Sequence, residues 1–283
     1  MYKIIDGKAV SAYVKQQVKD EVEVFAKNGS VPALAVIIVG NDPASKVYVG
    51  NKKKACEMTG MKSVEYALDE NTSETELLEL IEKLNSDSEI NGILCQLPLP
   101  KHINEDKVID AIAPEKDVDG FSAVNVGKIW LGKYEISPCT PMGVIELLDY
   151  YDIPLEGKNC VIVGRSNIVG KPMAALLLER NATVTVCHSR TKDLASFTKN
   201  ADVIVAAVGR ANFITADMVK QGAVVVDVGI NRLDSGKLCG DVDFENVKEK
   251  AGFITPVPGG CGPMTIAVLM KNTLVAYKNQ NNK

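Results

Sequence analysis

Cys160-Val161-Ile162-Val163-Gly164-Arg165-Ser166-Asn167-Ile168-Val169-Gly170-Lys171-Pro172 runs from a short apolar run into a turn bracketed by two glycines. A segment of helical character, 171–179, follows directly. The apolar run reads as a parallel strand buried on both faces. Glycines let the backbone turn tightly and let a diphosphate approach the helix N-terminus, where amide N–H groups favour anions. The spacing is not Gly-x-Gly-x-x-Gly, so the glycines alone are a weak motif. Their context is stronger, because a second strand at 183–187 arrives where a βαβ unit places it.

The same alternation extends in both directions. Val10, Val14, Val18, Val22 and Phe25 mark an amphipathic opening helix, and 33–39 is a continuous apolar strand. A helix over 44–58, a strand over 64–68, a helix over 74–84, a strand over 90–97 and a short helix over 105–112 follow. Residues 114–138 are turn-rich and less periodic, which places the lobe boundary there. A helix over 142–150 is expected to bridge the lobes. Beyond 187 come strands at 203–208 and 224–228, then a last helix at 264–277. Repeated βα units imply parallel sheets with helices on both faces. The expected fold is therefore α/β with two lobes and a cleft between them, the second lobe a Rossmann-like dinucleotide-binding sheet. The domains are drawn as 1–120 plus a C-terminal helix at about 264–283, and 121–263.

The chain has 283 residues, 46% of them hydrophobic and 24% charged, enough for packed cores in a globular protein. A net charge of −4 with no dominant basic stripe argues against a nucleic-acid binder. No apolar run reaches the ~18 residues of a membrane helix, and no signal-peptide core opens the chain, so cytosol is the default. Seven cysteines occur without Cys-x-x-Cys, alongside only His102 and His188. That argues against a zinc site and for buried thiols in a reducing compartment; no metal is expected.

The strand at 183–187 leads into His188-Ser189-Arg190-Thr191. NAD enzymes usually carry an acidic residue here for the ribose hydroxyls. Donors stand there instead, and Arg190 or Arg165 with Ser189 could hold a 2′-phosphate, so NADP is preferred.

In the first half, Ser45, Tyr48, Lys52 and Cys56 fall at i, i+3, i+7 and i+11, one stripe of a helix. An ammonium and two hydroxyls make a poor core face and point to a polar cleft. Tyr-x-x-x-Lys also occurs in short-chain dehydrogenases, but there the pair follows the glycine-rich turn, whereas Tyr48 and Lys52 precede it. The strand at 90–97 delivers Gln96, and the next helix leads to Asp117-Val118-Asp119-Gly120. Ligands in open α/β sheets sit beyond the carboxyl ends of strands, so Lys52, Gln96 and one aspartate can converge there.

With these pieces joined by Tyr48-Val49-Gly50-Asn51-Lys52, Gln96-Leu97-Pro98-Leu99-Pro100, the stretch Pro114 to Gly120 and the stretch Pro256 to Thr265, the chain resembles the bifunctional methylenetetrahydrofolate dehydrogenase/methenyltetrahydrofolate cyclohydrolase family in its short bacterial form. One departure is Cys261, where the family usually has Val. The resemblance implies oxidation of a folate-borne methylene with NADP, then hydrolysis of the methenyl product, by a homodimer acting on tetrahydrofolate derivatives. It implies that Lys52 is the central acid/base, that Tyr48 contacts the folate, and that Gln96 hydrogen-bonds and tunes Lys52. It also implies that Asp119 holds the pterin, that Ser45 lends support, and that Pro258 and Gly259 line the folate side. Gly164, Arg165, Ser166, Ser189, Arg190 and the backbone at Ile230 are implied to hold NADP. Hydrolysis near neutral pH needs a Lys52 pKa well below the usual ~10.4, which burial beside an uncharged amide can produce. A monofunctional dehydrogenase of the same family, another NADP dehydrogenase and a non-catalytic nucleotide sensor are the competing readings.

Overall fold

The computed structural model describes residues 2–281. In chain order the first half forms β1 (Lys3–Ile4), α1 (Gly7–Ala26), β2 (Ala33–Val39), α2 (Pro43–Thr59), β3 (Lys62–Leu68), α3 (Glu74–Ser86), β4 (Gly92–Cys95), α4 (Glu105–Ala111) and α5 (Ala123–Trp130). The second half forms α6 (Cys139–Tyr150), β5 (Asn159–Val163), α7 (Gly170–Glu179), β6 (Thr183–Cys187), α8 (Leu194–Thr198), β7 (Val203–Ala206), β8 (Val224–Asp227), β9 (Asn231–Arg232), β10 (Leu238–Cys239), α9 (Phe244–Val247), β11 (Phe253–Ile254) and α10 (Cys261–Asn281). The chain divides into two compact units, each assembled from two stretches.

One unit holds Ala12–Cys139 with residues 266–281. Its sheet is parallel, in the order β3-β2-β4. Central β2 is apolar at all seven positions because both faces are covered, and every residue of it is buried. Ile37, Ile93, Leu77, Ile81 and Val108 pack in one core between this sheet and α3 and α4. Helix α3 is fixed at its start by a capping box between Ser73 and Glu76. Beyond its end, the buried ammonium of Lys116 donates to Leu84 O (2.9 Å) and Asp87 O (2.7 Å).

The other unit holds residues 2–11 with Thr140–Thr265. Its six strands are all parallel, in the order β1-β11-β8-β7-β5-β6. The chain leaves β5 toward β6 on one side and returns to β7 on the other. The carboxyl ends of β5 and β7 are therefore a topological switch point, where such sheets bind ligands.

The observed division differs from the expected boundaries at 120 and 264. The first residues join the second unit because β1 adds a strand beside β11, pairing Lys3 with Phe253 and Ile4 with Ile254. Residues 121–139 stay with the first unit because buried side chains hold them there. Asp117 accepts from Ser122 N, and Asn272 Nδ2 donates to both Val118 O (2.9 Å) and Ser137 O (2.8 Å). The turn-rich reading of 114–138 missed α5, an eight-residue helix capped by Ser122. The strand expected over 90–97 is only Gly92–Cys95, since Pro98 and Pro100 carry no amide donor. Helix α2 runs to Thr59 and is closed by Gly60, whose φ of 75° lies in the left-handed region.

Candidate active site

Helix α2 begins where the Asp42 carboxylate accepts from Ser45 N (2.7 Å), with Pro43 as its first residue. This start sets the phase of the polar stripe, but the stripe divides. Ser45 is buried, Tyr48 is 42% exposed, Lys52 is 9% exposed and Cys56 is fully buried against Met270. Cys56 is therefore a core residue, and its thiol is pushed up to about 11 by burial.

Lys52 Nζ donates to Gln96 Oε1 at 2.8 Å. Gln96 follows β4, and its backbone N–H continues the ladder to Ile37 O (2.8 Å). Its side-chain Nε2 donates to Leu97 O (2.5 Å), which leaves Oε1 turned to the ammonium. Burial holds the Lys52 pKa below the ordinary lysine value; Asp119, Cys139 and Cys95 oppose that shift.

The two aspartates of Asp117-Val118-Asp119-Gly120 have different environments. Asp117 is buried, and its carboxylate accepts from Gly120 N (3.0 Å), Phe121 N (3.3 Å), Ser122 N (2.8 Å) and Asn125 Nδ2 (3.0 Å). It is consumed in shaping the loop. At Gly120, with φ 74°, only glycine fits, because a Cβ there would meet Ser137 C at 2.5 Å. Asp119 remains partly exposed in the field of Lys52. Burial pushes its carboxyl up to about 6, with Lys52 and a hydrogen bond from Cys139 acting the other way. Cys139, read from sequence as an ordinary buried thiol, thus borders this group, and burial raises its own pKa well above the usual range. Only its distance in sequence hid it.

In the other unit, β5 ends at Gly164, which has φ 140°. A Cβ there would meet Ala207 O at 2.2 Å, and one at Gly170 would meet Gly164 O at 2.3 Å. Both glycines are needed to fold the turn onto the start of α7. Arg165 and Ser166 are exposed on it, and Ser166 Oγ accepts from Val169 N (3.2 Å) and Gly170 N (3.4 Å). Ser189 and Arg190 are exposed beyond β6, and no carboxylate stands among residues 188–191. Arg190 N donates to His188 Nδ1 (3.1 Å). Ile230 is 46% exposed in the loop after β8. A glycine cradle that a Cβ would fill, hydroxyl and guanidinium groups, and a helix N-terminus suit the diphosphate and 2′-phosphate of NADP.

Pro258 and Gly259 also lie in this unit, not in that of Lys52; Pro258 is exposed and Gly259 has φ 113°. Cys261 opens α10 as a buried, apolar-like thiol, its pKa raised by burial, so it fills the place of a small hydrophobic residue.

Residues 5–119 match the family described as "Tetrahydrofolate dehydrogenase/cyclohydrolase, catalytic domain", and residues 138–281 match its "NAD(P)-binding domain". The chain belongs to the tetrahydrofolate dehydrogenase/cyclohydrolase family. It is 62% identical over 278 residues to the bifunctional protein FolD of Agathobacter rectalis, covering 98% of this chain and 100% of that one. The crystal structure of the bifunctional FolD methylenetetrahydrofolate dehydrogenase/cyclohydrolase from Campylobacter jejuni superposes with a TM-score of 0.97 at 54% identity, over 99% of each chain. The Trypanosoma brucei dehydrogenase-cyclohydrolase, solved with NADP cofactor and inhibitor, gives a TM-score of 0.94 at 36% identity, over 98% of each chain. Within this family frame the Lys52–Gln96 pair lies in the segment matched as catalytic, and the Gly164 turn in the segment matched as NAD(P)-binding. No described helix is long and apolar enough to cross a membrane, and no described cluster of His, Cys, Asp or Glu could hold a metal.

Proposed function

We infer that this chain oxidises 5,10-methylenetetrahydrofolate to 5,10-methenyltetrahydrofolate with NADP and hydrolyses that product to 10-formyltetrahydrofolate. The observation that carries the hydrolytic half is the Lys52 amine: buried, depressed in pKa and hydrogen-bonded to an uncharged amide. Bound NADP supplies the hydride acceptor of the first reaction. The protein's part there is to hold the two reactants in line and keep water out.

In the second reaction a water oxygen adds to the cationic methenyl carbon, and its proton goes to the free Lys52 amine. The carbon–N5 bond then breaks as the hydroxyl of the adduct gives up its proton to form the formyl C=O. N5 takes a proton in exchange, and the formyl group stays on N10; the proton on Lys52 is the one released to solvent. The substrate's own positive charge lowers the Lys52 pKa further, in the direction the reaction needs. Gln96 orients the amine without the counter-charge that would trap it as ammonium. Asp119, with oxygens not consumed by the loop, accepts from pterin N–H groups, and exposed Tyr48 packs on the folate. Pro258 and Gly259 line the folate side. NADP is held by Gly164, Arg165, Ser166, Ser189, Arg190 and the backbone at Ile230; the missing acid after β6 favours a 2′-phosphate.

We place the protein in the cytoplasm as a homodimer. Seven unpaired thiols suit a reducing compartment, and β6, an edge strand exposing Val186, offers a pairing surface. The decisive assay follows methenyltetrahydrofolate absorbance with purified protein. With methylenetetrahydrofolate and NADP the signal rises; with methenyltetrahydrofolate alone it decays. Lys52→Met is expected to abolish the decay while leaving NADP binding measurable. Wild-type decay in that variant would overturn the mechanism.

A further inference from the structure

The switch-point end of the parallel sheet carries two buried carboxylates that no step above uses. Asp241 is fully buried, and its carboxylate accepts from three successive backbone amides after β7: Val208 N (2.6 Å), Gly209 N (3.0 Å) and Arg210 N (2.9 Å). It also accepts from Asn231 Nδ2 (2.9 Å), at the start of β9 and next to Ile230. The Asp241 backbone is anchored in turn: its N–H donates to Asp227 Oδ1 (2.9 Å), while Val242 N donates to Asp227 Oδ2 (2.9 Å). Asp227, the last residue of β8, also accepts from Gly229 N (3.0 Å). Space for both acids is made by glycines. A Cβ at Gly229 would meet Asp241 Oδ1 at 2.2 Å, and one at Gly240 would meet Asp227 Oδ2 at 1.8 Å.

Consecutive amides converging on one point form an anion cradle. Here the protein fills the cradle with its own carboxylate. The filled cradle pins the 207–210 loop, whose Ala207 O lies where a Gly164 side chain would be, to the 229–231 loop that carries Ile230. Three loops at the carboxyl ends of β5, β7 and β8 are thereby fixed to one another.

We propose that Asp241 is a positioning residue for the dinucleotide, setting the loops beside the Gly164 turn through the Val208–Arg210 amides and Asn231. The inference rests on the dinucleotide reading given above. A carboxylate is suited to this place because it accepts four hydrogen bonds and donates none. An amide there keeps the shape but turns one acceptor into a donor facing N–H groups.

Asp241→Asn is expected to raise the KM for NADP at least tenfold and change the dehydrogenase kcat less. Hydrolysis of methenyltetrahydrofolate, which uses no dinucleotide, reports whether the variant is folded. Asn231→Ala removes only one of the four bonds and is expected to raise the KM for NADP about threefold; it decides the matter if Asp241→Asn does not fold. Arg165→Ala serves as the reference for the dinucleotide site. If Arg165→Ala raises the KM for NADP while Asp241→Asn and Asn231→Ala leave it at the wild-type value, the positioning role is overturned. If Arg165→Ala leaves it unchanged as well, the dinucleotide site itself has been misplaced and the inference falls with it.

Discussion

Replacing Gln96 with glutamate tests the electrostatic reasoning more sharply than deleting Lys52. The substitution keeps the shape and puts a negative charge where Oε1 now sits, 2.8 Å from Lys52 Nζ. With charge centres about 4 Å apart and an effective dielectric constant of about 20, the added attraction is about 4 kcal/mol. That corresponds to a Lys52 pKa higher by about three units. Gln96 is partly exposed, and solvent screening trims the figure, so an upward shift of about one to three units is expected. Below its pKa, each unit removes tenfold of the free amine. Gln96→Glu is therefore expected to slow hydrolysis at pH 7 by about tenfold to a thousandfold and to move its rise with pH by the same number of units to the alkaline side. The measurement is initial decay of methenyltetrahydrofolate absorbance across buffered pH values, corrected for the spontaneous reaction. NADP affinity, measured by titration, should not change. A Gln96→Glu enzyme with an unshifted pH profile would refute the claim that an uncharged neighbour keeps Lys52 available as a base.

Gly164→Ala puts a Cβ 2.2 Å from Ala207 O at a φ of 140°, so the turn must open; NADP binding should weaken at least tenfold by fluorescence titration. Asp119 and Asp227 have carboxyl groups raised by burial to about 6 and about 7. The folded state therefore binds their protons more tightly than the unfolded one. Their stabilising contribution is complete below about pH 4 and is lost as pH rises through 6 to 7, at no more than about 1.4 kcal/mol per pH unit for each group. The urea midpoint should fall from pH 5 to pH 8 and flatten in Asp119→Asn; a midpoint that climbs over this range contradicts the assignment. The carboxylates held low by hydrogen bonds, such as half-buried Glu74 and exposed Glu76, act in the opposite sense only at more acidic pH. Lys116→Met removes the ammonium's bonds to Leu84 O and Asp87 O at the end of α3, leaving them only the backbone bonds from Asp87 N and Ile90 N, and should lower stability by about 1 kcal/mol in chemical denaturation, with NADP affinity intact.

Much of this was legible in the sequence wherever one local pattern has one physical cause. The runs Ala33–Val39 and Cys160–Val163 are apolar at almost every position because both faces of a parallel strand are covered, and both are strands. Lys52 and Gln96 stood out because polar groups at those positions need partners, and the structure joins them directly. What stayed hidden depends on contacts distant in the chain. Nothing in Asp-Val-Asp-Gly says that four N–H donors gather on Asp117 while Asp119 takes a hydrogen bond from the thiol of Cys139. Cys139 looked like any thiol until the fold brought it to Asp119. Asp241 meets its amides 31 to 33 residues away, and no spacing rule links them. Helix α5 is short and has Gly127 within it, and the two-residue strands β1, β9, β10 and β11 are below any periodicity.

Each compact unit is stitched from two separated stretches of chain, and that dictates a schedule for synthesis. The unit containing Lys52 lacks residues 266–281, and with them Asn272 and its bonds to Val118 O and Ser137 O, until the whole of the other unit has been made. A nascent chain therefore waits on the ribosome with that unit unclosed. A message truncated before codon 266 should yield aggregates or proteolytic fragments in place of a free-standing domain.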